Sequence, residues 1–281
     1  MKQIVIGLDG SKAGFAALRW GTQLALATES TLTALNAFQR PYMEIDVPEL
    51  EQMLKERHVD VDEWMQFAID AGVTVRSEVV EGDPRFVVTE FADRDNTDLV
   101  VLGRSGRGGS PGWLHVGSVV EHAAHHLTTP FAVIPADAHD KIQRIVVGLD
   151  GSPASTAAAE WVAAVAPEVG AHVIAVTVEE PIFEWTPSWD TNNWRRDAVR
   201  SLETWSRPIS ATGVGLDLVP AERFYPVDGL LGVAARVDTD LLVVGTRGTG
   251  GFLGLRMGGV ALKLLHRASM PLVLVPPAGE R

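Results

Sequence analysis

The chain says nearly everything twice. Residues 3–14, QIVIGLDGSKAG, return at 144–155 as RIVVGLDGSPAS. Asp9 and Asp150 are 141 positions apart, and Trp20 and Trp161 share that offset. TDLVVLGRSGRGG at 97–109 returns as TDLLVVGTRGTGG at 239–251, now 142 apart, as do Pro84 and Pro226. The closing stretches TTPFAVIP and SMPLVLVP are again 141 apart. A repeat this long is a whole domain, so each copy must form the same elements and bury its own core. The polar stretch ADAHDK, Ala136 to Lys141, is the expected joint, giving domains at 1–138 and 139–281.

Each copy alternates short apolar runs with helix-length segments. In the first copy the runs are Gln3–Leu8, Thr31–Phe38, Thr74–Val80, Leu99–Leu102 and Phe131–Ile134. In the second they are Arg144–Leu149, His172–Val178, Leu216–Pro220, Leu241–Val244 and Leu272–Val275. Continuous rather than alternating apolar runs fit strands buried on both faces, as in a parallel sheet. Ala157, Trp161, Ala164, Val165 and Glu168 are expected to share one helix face. Ser152 before Pro153 reads as an N-cap and first helical residue, and Asp83-Pro84 has the same form. The alternation predicts an α/β fold with right-handed crossovers.

Two places in each copy break this rhythm. One is Asp9-Gly10-Ser11, matched by Asp150-Gly151-Ser152, after the first strand. The other follows the fourth strand: GRSGRGGSPGWLHVGS from Gly103 and GTRGTGGFLGLRMGG from Gly245. Both lie at carboxyl ends of strands, where open parallel sheets bind ligands. Glycines let the backbone turn sharply and leave its N–H groups unobstructed. The helix starting near Gly117 or Gly258 aims free N–H groups and its dipole at the same place, which suits phosphate. The carboxylate of Asp9 or Asp150 suits a hydroxyl or amine donor instead, such as a ribose or adenine group. The plainer alternatives are tight turns for the glycines and helix capping for the aspartates.

The combination of strand–Asp-Gly-Ser, a later Gly-x2-Gly-x9-Gly-Ser/Thr and a closing strand after proline resembles the universal stress proteins. The resemblance covers nearly the whole chain, twice. It implies two tandem doubly wound domains, each a five-stranded parallel sheet of order 3-2-1-4-5 flanked by helices. It also implies pairing of domains through their last strands, as a pseudo-dimer within the chain, with a homodimer of chains as a further possibility. Many relatives with this glycine motif bind ATP, which implies ATP accompanied by magnesium, since a divalent ion offsets phosphate repulsion. The nucleotide contacts so implied are Asp9, Ser11, Ala37, Gly103, Gly106, Gly117, Ser118 and Val119 in the first copy. In the second they are Asp150, Ser152, Val178, Gly245, Gly248, Gly258, Gly259 and Val260. The copies depart from the pattern differently. Gly259 stands where the family has Ser or Thr. Ten residues, not nine, separate Gly106 from Gly117, so the extra one must bulge out or shift the loop.

A formal net charge of -12 disfavours nucleic acid and anionic membrane as partners, since phosphate backbones need a basic face. With no cysteine, disulfides and thiolate metal sites are excluded. The short apolar run Ile4–Ile6 is no signal-peptide core, and the expectation is a cytoplasmic protein. His122, His125 and His126 share a helix face without a completing ligand, since Glu121 faces elsewhere, and read as a partly exposed surface. Trp185, Trp189, Trp194 and Trp205 are expected to pack against the other half or another chain. Arg195, Arg196 and Arg200 read as a solvated face. No nucleophile elbow, Walker lysine or first-strand Rossmann fingerprint is present. The expected function is therefore an ATP-binding regulatory or protective stress-response protein, at most a slow hydrolase or autophosphorylating protein. The alternative is an interaction module of the same fold. A hydrolase or transferase using His115 is the third reading.

Overall fold

The computed structural model describes residues 1–40, 47–94, 96–106, 116–179, 191–222, 225–249 and 257–279. The chain divides into two compact units, Met1–Lys141 and Ile142–Arg281. In the first unit the elements are β1 (Gln3–Gly7), α1 (Lys12–Ala27), β2 (Thr31–Phe38), α2 (Val47–Asp70), β3 (Val75–Glu81), α3 (Pro84–Arg94), β4 (Leu99–Gly103), α4 (Ser118–His126) and β5 (Phe131–Ile134). In the second they are β6 (Arg144–Gly148), α5 (Pro153–Val169), β7 (His172–Glu179), α6 (Thr191–Trp205), α7 (Arg207–Ser210), β8 (Leu216–Glu222), α8 (Pro226–Arg236), β9 (Leu241–Gly245), α9 (Gly259–Arg267) and β10 (Leu272–Val275).

All strand pairs within a unit are parallel. The orders are β3-β2-β1-β4-β5 and β8-β7-β6-β9-β10, both the expected 3-2-1-4-5 arrangement. Order reverses between the first and fourth strands of each unit, so the loops after β1 and β4, and after β6 and β9, flank one crevice. The central strands are buried along their apolar runs: Ile4, Val5, Ile6, Leu99, Val100 and Val101 in one unit, Ile145, Val146, Val147, Leu241, Leu242 and Val243 in the other. The third-strand edges are different. Alternate residues of β3 are exposed, and β8 is half-exposed, because only one side of an edge strand is fully covered.

Helix ends follow the sequence signals. Ser152 caps α5 and Pro153 opens it. Asp83 Oδ1 accepts from Arg85 N at 3.0 Å at the head of α3. The buried face of α5 differs from the expected one. Ala154, Ala158, Trp161, Val162 and Val165 face inward, whereas Ala164 and Glu168 are exposed. In so alanine-rich a helix small residues sit comfortably on either side, so the apolar stripe is poorly marked.

The Thr-Asp pair before β4 and β9 also acquires a reason. Asp240 Oδ2 accepts from Gln143 N and Arg144 N, both at 2.8 Å, while Asp240 N donates to Arg144 O at 3.0 Å. Asp98 does the same for Lys2 N and Gln3 N. One carboxylate thus fixes the register at which the first and fourth strands meet. Asp240→Ala leaves two amides without an acceptor and costs about 1–3 kcal/mol. Amide exchange in β6 should accelerate while β1, in the other unit, keeps its rates; unchanged exchange in β6 would contradict this role.

Candidate functional site

The turn after the first strand of each unit is built on a glycine in the left-handed region, Gly10 at φ 72° and Gly151 at φ 77°. The flanking residues divide two tasks. Asp9 Oδ1 accepts from Ser11 N at 2.9 Å, and Asp150 Oδ1 from Ser152 N at 3.0 Å. Ser11 Oγ and Ser152 Oγ then cap α1 and α5, accepting from Gly14 N at 3.0 Å and Ser155 N at 3.2 Å. The serines, not the aspartates, are the caps. Each also reaches across the crevice, donating to Ser105 O at 3.3 Å and Arg247 O at 3.0 Å. Ser152 is buried, both ends of its hydroxyl are engaged within the chain, and it does not line the cleft.

The fourth-strand glycines answer to the same neighbourhood. A Cβ at Gly245 would lie 2.6 Å from the Ala154 carbonyl carbon, and one at Gly103 2.6 Å from that of Ala13. The end of the fourth strand therefore touches the first turn of α1 or α5 backbone to backbone. A Cβ at Gly248 would lie 2.5 Å from Asp150 Oδ2, and at Gly106 2.8 Å from Asp9 Oδ2. Thr249 N donates to Asp150 Oδ2 at 3.1 Å, which ties this loop to the aspartate.

The loop ends close identically in both units. Gly258 N donates to Thr246 O at 2.7 Å, and Gly117 N to Arg104 O at 2.8 Å. A Cβ on either glycine would stand 3.7 Å from the amide nitrogen of Gly248 or Gly106. The extra residue of the first unit thus does not displace the anchors; the intervening residues 107–115, His115 among them, lie outside the described residues. Gly117 and Gly258 are the N-caps of α4 and α9, and neither helix has a side-chain cap. The first intrahelical bonds come from Glu121 N and Leu262 N. The amides of Ser118, Val119 and Val120, and of Gly259, Val260 and Ala261, thus have no acceptor within their helices.

In the second unit these parts surround a cleft of about 960 Å³. Asp150, Val178, Gly245, Gly248, Gly258, Gly259 and Val260 all line it. Among the described residues a Cβ at Gly259 would meet nothing within 4 Å. Val178 leans over Gly229, where a Cβ would lie 2.6 Å from its Cγ1. Six further lining residues lacked a signal in the motif: Thr246, Arg247, Tyr225, Asp228, Lys263 and Arg267. Lys263 and Arg267 were findable, because they stand four and eight residues after Gly259 and share its helix face. Arg267 pairs with Asp228 at 2.7 Å. The ionised lining groups, two carboxylates against three cations, make this a slightly positive cleft in an acidic protein.

The first unit furnishes its matching wall differently. Asp9, Gly103, Gly106, Gly117 and Val119 hold the places of their counterparts, Ser118 is exposed at the start of α4, and Ala37 pairs with Val80 in the sheet. Glu121, in the first turn of α4, brings an acid where the second unit has Leu262. Arg104 replaces Thr246, and burial lowers its guanidinium pKa. His122 and His126 take the places of Lys263 and Arg267, with ring centroids 3.9 Å apart, and His122 meets Phe86 edge-on. Arg85 pairs with Asp83 and holds its carboxyl down to about 2.

Several side readings resolve within a unit. Among the described residues no group of three His, Asp or Glu is placed to hold a metal. Trp205 is half-buried and lies against Gly151 of its own unit. Trp194 is half-buried, Arg195, Arg196 and Arg200 are exposed, and Trp185 and Trp189 lie outside the described residues.

Two outcomes follow. Gly248→Ala drives a Cβ into the Asp150 carboxylate and loosens the loop, whereas Gly259→Ala enters open space; thermal unfolding should fall for the first and stay within about 0.5 kcal/mol for the second. Burial, then the charges of His126 and Arg85, depress the His122 pKa below 6.5, with Asp83 opposing. The unfolded chain then binds a proton that the fold resists, so stability drops as pH falls from about 6.5 toward the lowered value. His122→Gln should flatten that part of the pH–stability curve; an unaltered curve would contradict it.

Comparison with known proteins places this geometry in a lineage. The universal stress protein family profile matches residues 1–135 and 141–276. A universal stress protein of Mycolicibacterium smegmatis is 25% identical over 295 residues, covering 98% of this chain and 97% of that one. Another from Mycobacterium tuberculosis is 28% identical over 294 residues, covering 96% of each. The crystal structure of a universal stress protein from Archaeoglobus fulgidus superposes with a TM-score of 0.75 at 17% identity, over 98% of both chains. The chain belongs to the universal stress protein family, as a member that carries the family's domain twice.

Proposed function

We propose that this protein binds an adenine nucleotide, ATP in the first instance, in the cleft of the second unit, and acts as a nucleotide-dependent regulatory or protective module in stress. The observation that carries the reading is the joint lining of one cleft by the Asp150 carboxylate and the uncapped start of α9. A carboxylate has about four acceptor positions. Two on Asp150 are taken by Ser152 N and Thr249 N, which leaves capacity for a ribose or adenine donor. The amides of Gly259 and Val260 and the helix dipole favour the phosphates. Val178 offers an apolar edge to the base. Magnesium would arrive with the nucleotide, held by phosphate oxygens. The same roles fall to Asp9, Gly117, Ser118 and Val119 in the first unit, with Ala37 in the place of Val178.

One observation favours the second reading, an interaction module that binds no nucleotide. Gly103, Gly106, Gly245 and Gly248 are each required by contacts within the chain itself, so the motif alone does not demand a ligand.

Adenine nucleotide in the supernatant of acid-precipitated protein, or calorimetric ATP binding, supports the first reading. ATP at a hundred times its Kd should stabilise the fold by about 2.7 kcal/mol. Gly259→Glu sets a carboxylate in open space before the amides. A first-turn glutamate suits a helix, so the variant should fold normally and lose ATP binding in this unit. Neither copurified nucleotide nor calorimetric ATP binding by the unaltered protein would overturn the proposal in favour of the interaction module.

A further inference from the structure

We infer that Lys263 sets the charge requirement of the second unit's cleft, making it select a nucleotide with a long phosphate chain over a monophosphate. This rests on the adenine-nucleotide reading above and adds a specificity-determining residue to it.

Side chains on a helix tilt toward its N-terminus and cover the preceding turn. Lys263, four residues after Gly259, therefore leans over the turn that carries the free amides of Gly259 and Val260. All three line the same cleft. Among the described residues no atom lies within 4 Å of where a Gly259 Cβ would be, so the helix start beneath the lysine is open. The other cations are engaged: Arg267 with Asp228, and Arg247 within its own surroundings. Among the described residues Lys263 makes no hydrogen bond or ion pair, so its charge is available to a ligand.

The first unit supplies the internal contrast. Ser118 provides a hydroxyl at the helix start, and the position of Lys263 is held by His122, whose pKa lies below 6.5. The first unit thus has a hydroxyl in the place of Gly259 and an imidazole, its protonation disfavoured by burial, in the place of the Lys263 ammonium. A compact ammonium recognises phosphate as a point charge and needs no planar fit. Once the amides hold one phosphate, the lysine is placed for the next ones along the chain.

The test is calorimetry with ATP, ADP and AMP on the full chain, in a Ser118→Glu background that closes the first unit's helix start. Without a substitution at Lys263, ATP should bind at least about tenfold more tightly than AMP. Lys263→Gln should remove most of that preference while AMP affinity changes less than about twofold, and Lys263→Arg should retain the preference. An ATP-to-AMP ratio unchanged in Lys263→Gln, or lost equally for both ligands, overturns the inference and leaves the nucleotide reading standing. Absence of binding by all three nucleotides to the Ser118→Glu protein overturns both.

Discussion

Everything at the crevice depends on one close approach. The fourth strand ends against the first turn of the first helix with no side chain between them. Gly245 against Ala154, and Gly103 against Ala13, leave less room than a single methyl group requires. That contact brings the loop after the fourth strand within hydrogen-bonding distance of the loop after the first. Ser152 Oγ can then reach Arg247 O, and Asp150 Oδ2 can reach Thr249 N. The carboxylate is thereby pinned, and with it the start of the loop that leads to the uncapped helix. The site is thus prepared by packing before any ligand enters.

Duplication then permits divergence. Both units keep the turn, the cap and the loop closure within a tenth or two of an ångström, so the frame is shared. The wall beside it is not. The second unit lines its cleft with Lys263, Arg267 and Asp228. The first has His122, His126 and Phe86 at the matching places, and Glu121 in its first helical turn. A frame held by the backbone is indifferent to such changes. The side chains set its charge, and through His122 its response to pH.

Much of this was legible in the residues. The repeat, the alternation of buried runs and helices, and the two interruptions at strand ends led to the fold and to the crevice. The parts that escaped share a physical cause. The α5 face was misplaced because alanine marks neither inside nor outside. The bonds from the Ser11 and Ser152 hydroxyls to Ser105 O and Arg247 O have no sequence signal, because those partners lie more than 90 residues away in the chain. Lys263 went unnoticed because a lysine on a helix is ordinarily solvated, and only the empty place at Gly259 makes it significant.

The central claim is that the amides at the start of α9 and the Asp150 carboxylate hold opposite ends of one nucleotide. Backbone amide NMR of the full chain during titration with ATP and magnesium reads those groups individually. The account predicts the largest shifts at Gly259, Val260 and Ala261, with accompanying shifts at Gly248 and Thr249. Saturable binding that leaves all five amides unmoved would contradict it.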